Sequence, residues 1–506
     1  TREALRFALE DEWMSHRARA RPTRIMGKFF RISAWLLLVT ALVWLTVIAY
    51  WQSAEVHPGK RDLLLYLGLL PLAIFAVLAL GKLGFDGARR KAGAPADKSR
   101  DPVEAVAADA PPPEPARAIA ILAGALQVPA GQEAAHVLAA LSTPASPSLH
   151  DRLKDGSGFP VFAAWDRSLD VEQAHAVIEA MRDRPVTAPE ASRALALLMP
   201  VAADLVATIA AHGPAAHPRD ALAAMPAAVV ARLQVSLFLP TDWPAALGDA
   251  ARDWLADEAL AAGLPAEHLA IEVLPTTSAA DLWRKIAAIA QARTEQAAPV
   301  QHLLLACQSM VGERSVHRLE QAGRLLSARQ PEGIVPGEGA AGVVLLPGDD
   351  RDQFALPPRT LLRAQATAQR GVSWQARSAT AQIAEQWQQL FDTVPGTASG
   401  NVRAVVSDAD LRRSRAAAIG SALTQAAPQL EPDGDGLHTG VACGELGIVA
   451  PLALLALASA KADATGAPVV AMAVAEADQR TLALVTPPDP PVAHAADATP
   501  STPRAA

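Results

Sequence analysis

The chain is poor in the residues that many enzymes and most secreted frameworks depend on. Of 506 residues only Cys307 and Cys443 are cysteine, so no disulfide framework can form. A reducing compartment and simple neglect of cysteine fit this equally well. A formal net charge of -7 argues against nucleic acid as the main partner. No phosphate loop, no serine nucleophile elbow and no cysteine pair for a metal is present. His302, Glu313 and His317 lie near one another, but their spacing is not a zinc pattern and Arg314 sits among them. They read as a solvated loop. No metal or cofactor is implied.

Long apolar runs are present near the start. Ile32 to Trp51 and Leu63 to Leu83 are each long enough to cross a bilayer, and the polar turn from Gln52 to Asp62 separates them. Trp35, Trp44, Tyr50, Trp51 and Tyr66 supply interfacial aromatics. Arg17, Arg19, Arg21, Arg24, Lys28 and Arg31 precede the pair, and Lys82, Arg89, Arg90, Lys91, Lys98 and Arg100 follow it. Only Lys60 and Arg61 lie in the turn. The positive-inside rule then puts the N-terminus and everything after the hairpin in the cytoplasm. The alternative is a buried helical hairpin of a soluble domain. No ionisable residue interrupts the interior of either run, so the segment reads as an anchor and not a transport path.

These features divide the chain into a basic N-terminal segment at 1–31, two transmembrane helices within 32–85 and a Pro/Ala-rich linker at 86–116. A folded part follows at 117–487, and a disordered tail at 488–506. Within the folded part, short apolar runs predict strands at 118–128, 232–239, 268–274, 301–307, 342–346, 402–406, 468–474 and 481–485. Helical spacing predicts helices at 132–141, 191–211, 245–261, 279–292, 376–390, 408–426 and 447–462. That alternation specifies α/β layers.

One stretch organises the rest: Ile334 to Pro347, where Gly337, Gly339 and Gly342 feed the wholly apolar run Val343 to Leu346. The glycines permit positive φ and close backbone approach, and the unalternating run predicts burial on both faces. The Gly-Glu-Gly-Ala loop resembles that of ketosynthases. The run from Ala118 to Gly131 is similar to the family's opening strand and turn, and Arg480-Thr-Leu-Ala-Leu-Val-Thr to its closing strand. Gly-Leu-His438-Thr-Gly-Val-Ala-Cys-Gly444 resembles Gly-His-Thr-Glu-Ala-Ala-Ser-Gly, with Leu437 for the glycine and Gly440 for the glutamate. The resemblance implies a thiolase-like fold of two related α/β halves, at 117–350 and 351–487, preceded by the transmembrane hairpin.

The same comparison empties the catalytic site. A ketosynthase needs a thiolate at a helix N-terminus and two polar partners, usually histidines, around an acyl carbonyl. Here Leu274-Pro-Thr-Thr-Ser278 enters the helix without a cysteine, and Thr276 or Thr277 holds the position. N-capping is the expected role of that threonine, with Asp281 in the first turn. No histidine occurs near Asp408, and the place of the usual lysine falls near Asp433. Thr277, His438 and Cys443 are the candidates for a vestigial site, Cys443 more as a packed core residue than as a thiolate.

The combined plan resembles the adaptor proteins of bacterial type VI secretion that load a phospholipase effector onto the spike. That resemblance implies a non-enzymatic protein of the inner membrane whose partners are a lipase-type client and a spike protein, with a homodimer left open. An acyltransferase or condensing enzyme with a non-standard site, and a structural subunit of a membrane complex, are the alternatives. The topology is testable directly. A reporter fused after residue 100 is expected to behave as cytoplasmic, and a chain starting near residue 105 to be soluble; periplasmic phosphatase activity from the fusion overturns the orientation.

Overall fold

The computed structural model describes residues 117–143, 145–179, 189–212, 232–291, 300–347, 358–369, 376–431, 434–476 and 479–488. All lie in the second of the chain's two units, Pro111–Ala506. The expected N-terminal segment, membrane hairpin and linker fall outside the described residues, as do nearly all of the tail, Asp433 and Trp374.

In chain order the first half runs β1 (Ile119–Gln127), α1 (Ala134–Ser142), the hairpin β2 (Ser148–Lys154) and β3 (Pro160–Ala163), α2 (Glu172–Glu179) and α3 (Pro189–Ala211). It continues with β4 (Arg232–Pro240), α4 (Ala245–Ala261), β5 (Leu269–Thr276), α5 (Ala279–Gln291), β6 (Val300–Ser309), α6 (Glu313–Gln321) and β7 (Glu338–Pro347). The second half runs β8 (Thr360–Gln369), α7 (Ala376–Asp392), β9 (Ala404–Ser407), α8 (Arg413–Ala426) and β10 (Gly436–His438). It closes with α9 (Thr439–Cys443), α10 (Ala450–Thr465), β11 (Val469–Ala473) and β12 (Gln479–Thr486).

Ten strands join in the order β10-β9-β11-β12-β8-β1-β7-β6-β4-β5, and β2-β3 stand apart. Setting the hairpin aside, each half places its own strands third, second, fourth, fifth, first. The senses repeat too. β5, β4 and β6 are parallel with β7 and β1 antiparallel beyond them, as β10, β9 and β11 are parallel with β12 and β8 beyond them. This repetition is the expected thiolase-like plan of two related α/β halves. The halves meet where β1 pairs with β8 over Ile119–Ile121 and Thr360–Leu362.

Side-chain alternation along the strands sorts the core. Val343 and Leu345 join the α1, α5 and α10 face, whereas Val344 and Leu346 face α3 and α4, so the β7 run is buried on both sides as its composition requires. A third cluster covers the second half beneath α7 and α8. α10 is apolar around nearly its whole circumference, and it ends on Gly466 in the left-handed conformation. Pro189–Ala211 and Gly447–Thr465 are long and apolar enough to cross a membrane, but both are mostly buried, so packing on the sheet accounts for their apolarity.

The structure departs from the sequence expectations at identifiable places. β8 is a strand of alternating polarity, Thr-Leu-Leu-Arg-Ala-Gln-Ala-Thr-Ala-Gln, so it lacks an apolar run although it is the junction of the halves. Glu313 and His317 stand on α6 and not in a loop, and α8 begins at Arg413 because residues 408–412 carry buried polar contacts that replace a helical turn. Gly337, Gly339 and Gly342 are absent from the glycines of positive φ. Close approach is what they provide. A Cβ on Gly337 would lie 2.2 Å from the Cys443 carbonyl oxygen and 2.9 Å from that of Glu445, and one on Gly339 would lie 3.0 Å from Val128 Cγ1 and 3.2 Å from the Gln127 carbonyl oxygen.

Because backbone cannot retreat as a side chain can, Gly337→Ala is expected to cost on the order of 4 kcal/mol. Gly339→Val should cost on the order of 3 kcal/mol by overpacking. Urea denaturation checks both, and a loss below about 0.5 kcal/mol at either position, the scale of an ordinary surface substitution, would contradict the packing.

Candidate functional site

The N-terminus of α5 is the place where a condensing enzyme would need its nucleophile. Thr276 ends β5, buried, with its hydroxyl donating to the Leu274 carbonyl at 2.9 Å. Thr277 is exposed. Neither caps the helix. The cap is Ser278, whose Oγ accepts from the Ala280 N–H at 3.0 Å. The reason is one of register: α5 starts at Ala279, so the side chain preceding the first helical residue is Ser278. Its hydroxyl also reaches the Glu476 carboxylate, 2.8 Å from Oε1 and 2.9 Å from Oε2. Glu476 Oε1 accepts from the Ala279 N–H at 2.8 Å. A carboxylate therefore sits on the positive end of the helix dipole.

Glu476 arrives from the other half, on the loop after β11, and that loop is held from behind. Asp408 accepts from the N–H groups of Val474 at 2.6 Å and Ala475 at 3.0 Å. The Ala475 carbonyl accepts from Arg415 Nη2 at 2.9 Å and Arg412 Nη2 at 3.4 Å. Arg412 is paired with Asp410 at 2.6 Å and lies 3.6 Å from Glu445. Burial pushes the Asp408 carboxyl up to about 7, against the N–H of Val474 that favours its ionised form. Burial also raises the Glu445 carboxyl, opposed by Arg412. The Arg415 guanidinium falls to about 9, through burial first and the Arg412 charge second.

His438 closes β10, and its Nδ1 lies 2.7 Å from Ser407 Oγ. Burial holds its pKa below the ordinary histidine value. Ser407 is wholly buried and also accepts from the Ala409 N–H at 3.2 Å. At Gly440, where the resemblance expects glutamate, a Cβ would lie 2.6 Å from the Asp408 carbonyl oxygen and 2.7 Å from that of Ala409. No side chain fits there. Cys443 is buried in the core shared by the halves, and burial pushes its thiol up to about 12. Among the described residues, the hydrogen-bond partner of His438 is Ser407, and no hydrogen bond joins His438 to Thr277 or Cys443.

Two other polar clusters fall near the expected motifs. Glu338, the acid of the glycine loop, is fully buried and accepts from Arg193 at 2.8 and 2.5 Å, from Ser309 Oγ at 2.8 Å and from the Asp166 N–H at 3.0 Å. His302 lies within β6 beside Lys285 and Glu272. Burial, then the Lys285 charge, lower its pKa to about 4. Among the described residues there is no group of His, Cys, Asp and Glu that could hold a metal. Trp243 and Trp254 are half-buried against the α3 and α4 core.

Ser407 and Glu476 carried no local signal. A serine ending a strand and a lone glutamate in a loop become significant only through what folding sets against them.

Residues 362–487 match the family model for the C-terminal part of the type VI lipase adapter protein Tla3. The chain thus joins a thiolase-like domain to a resemblance with type VI lipase adapters. The Tla3-like segment covers nearly all of the second half, including Asp408, Arg412, Arg415, His438 and Glu476. No curated protein matches the chain. Among solved structures, it is similar to a β-ketoacyl synthase from Burkholderia phymatum STM815, at 12% identity over 74% of this chain and 100% of that one, with a TM-score of 0.48. The ishigamide ketosynthase/chain length factor shares 14% identity over 73% of this chain and 99% of that one, with a TM-score of 0.45. The fold is defined by the duplicated strand order and not by these superpositions.

The Asp408 shift has a consequence of definite sign. A carboxyl whose folded pKa is raised contributes stability below its unfolded value and loses it as pH rises through the folded one. The window for Asp408 therefore runs from the ordinary carboxylate range to about 7. Across it, wild type should lose stability relative to Asp408→Asn by up to about 1.4 kcal/mol per pH unit. Paired urea denaturations at pH 5 and pH 8 test this, and a difference independent of pH refutes it.

Proposed function

We propose that the chain is a non-enzymatic adaptor of type VI secretion. Residues 32–85 anchor it in the bacterial inner membrane, with the N-terminus and the large domain in the cytoplasm. The large domain holds a lipase-type effector and presents it for loading onto the spike. The observation that carries the non-enzymatic part is the occupancy of the α5 N-terminus, where Ser278 and the Glu476 carboxylate stand in place of a thiolate. A carboxylate there repels a second anion, so an acyl oxyanion finds no stabilisation. The match of residues 362–487 to the Tla3 adapter family supports the adaptor part, and the basic flanks of the two apolar runs support the anchor and its orientation.

An acyl-transfer reading would need a nucleophile with a base in reach and access for substrate. Ser407 and His438 have the contact, but Ser407 is fully enclosed. Thr277 is accessible but makes no hydrogen bond to His438. Neither pair meets both conditions.

The test is complementation of a deletion strain with a chain carrying Thr277→Ala, Ser407→Ala and His438→Ala, read for partner capture and for effector-dependent killing. Both should persist, with a stability loss of about 1 kcal/mol for the Ser407–His438 hydrogen bond. In an enzyme, removal of a positioned acid, base or nucleophile lowers turnover by about 10²- to 10⁴-fold. Preserved capture with abolished killing overturns the non-enzymatic reading. Mass spectrometry of the captured material checks the partner: a lipase-type protein supports the adaptor, and a ring of structural subunits without one contradicts it.

A further inference from the structure

The contact between Glu476 and the α5 N-terminus joins the two halves. Ser278 belongs to the first and Glu476 to the second, 198 residues apart. One carboxylate collects two donors from the helix end, the Ser278 hydroxyl and the Ala279 N–H. Its own loop is fastened at both faces of the Ala475 peptide region. Asp408 accepts the N–H groups of Val474 and Ala475, while Arg415 and Arg412 donate to the Ala475 carbonyl. Arg412 is in turn neutralised by Asp410 and Glu445. Withdrawing Glu476 from the helix would disturb several buried hydrogen bonds together, so its placement is enforced by the fold and not by the carboxylate alone.

We propose that Glu476 is an intramolecular latch: a carboxylate, on a loop whose backbone Asp408, Arg412 and Arg415 hold, that seals the α5 N-terminus and ties the two halves together across it. The latch makes the helix end unavailable to any anion or thiolate, and it makes the sealed junction a structural element of the domain. The inference rests on the emptied-site part of the proposed function and leaves the adaptor part aside.

A thiol placed at the seal reads it out. A helix N-terminus lowers a thiol's pKa and raises its reactivity, whereas an adjacent carboxylate raises the pKa and covers the sulfur. Ser278→Cys in the otherwise native full chain should therefore react slowly with iodoacetamide at pH 7.5. Ser278→Cys combined with Glu476→Ala should react at least tenfold faster, with Cys307 and Cys443 still protected, because both are buried in the core. Equal rates in the two chains overturn the latch.

If Cys307 and Cys443 also become reactive in the Glu476→Ala chain, the domain has opened generally and Glu476→Gln decides. The amide keeps the shape of the side chain and removes its charge, so a threefold or greater rise in alkylation at position 278 supports the latch and an unchanged rate overturns it. Failure of this contrast leaves partner capture by the unlabelled chain untouched, and failure of partner capture leaves the alkylation contrast untouched, so the latch and the adaptor fall separately.

Discussion

A fully buried carboxylate has to be neutralised by neighbours or it unfolds what surrounds it, and Glu338 shows how much of this domain such a requirement can organise. It opens β7, inside the glycine loop, and its two oxygens accept from Arg193 on α3, from Ser309 at the end of β6 and from the backbone of Asp166 beyond β3. Each partner comes from a different element, so satisfying the charge fixes their mutual positions. Removing one partner of such a pair costs about 3–5 kcal/mol because the other is left unpaired in a dry site. Gly337 and Gly339, on either side, let the loop pass against the backbone at Cys443, Glu445 and Gln127 with no room for a side chain.

The second half repeats the device at a different place. Asp408 and Asp410, with Arg412 and Arg415, fasten the loop carrying Glu476, and that glutamate is set on the first turn of α5. In a thiolase-like plan this is where the halves converge, and a condensing enzyme would gather its reactive groups there. Here buried charges and their hydrogen bonds occupy the same space. Such an arrangement favours one rigid packing of the loop against the helix end. The closure at Gly440, where the Asp408 and Ala409 carbonyls exclude a side chain, is part of the same rebuilding.

Burial is the largest cause of the raised Asp408, Glu445 and Cys443 values and of the lowered His302 and His438 values. The Cys443 thiol is pushed to about 12 by its apolar surroundings, and His302 falls to about 4 under burial and the Lys285 charge. Strong perturbation often marks function. In Cys443 it marks the core between the halves.

Composition and periodicity by themselves determined the α/β alternation and most of the long elements, because β1, β4, β6, β7, β11 and β12 are largely buried and each carries a short apolar run. The sequence also shows no cysteine from Leu274 to Ser278, where the ketosynthase resemblance would place one. β8 and the hairpin β2–β3 were not legible, since half-exposed strands of mixed polarity lack that signature. The helix starts at Ala279 as its periodicity predicts, so the cap falls on Ser278, the residue just before it, and not on the threonines. Only the tertiary structure decided that Glu476 is the partner of Ser278 and that Ser407 meets His438, for these contacts span 198 and 31 residues and depend on the loop after β11 reaching the first half and on the pairing of β9 with β10. Local sequence specifies which faces are apolar; which loop ends at which helix follows from the strand order and its crossovers.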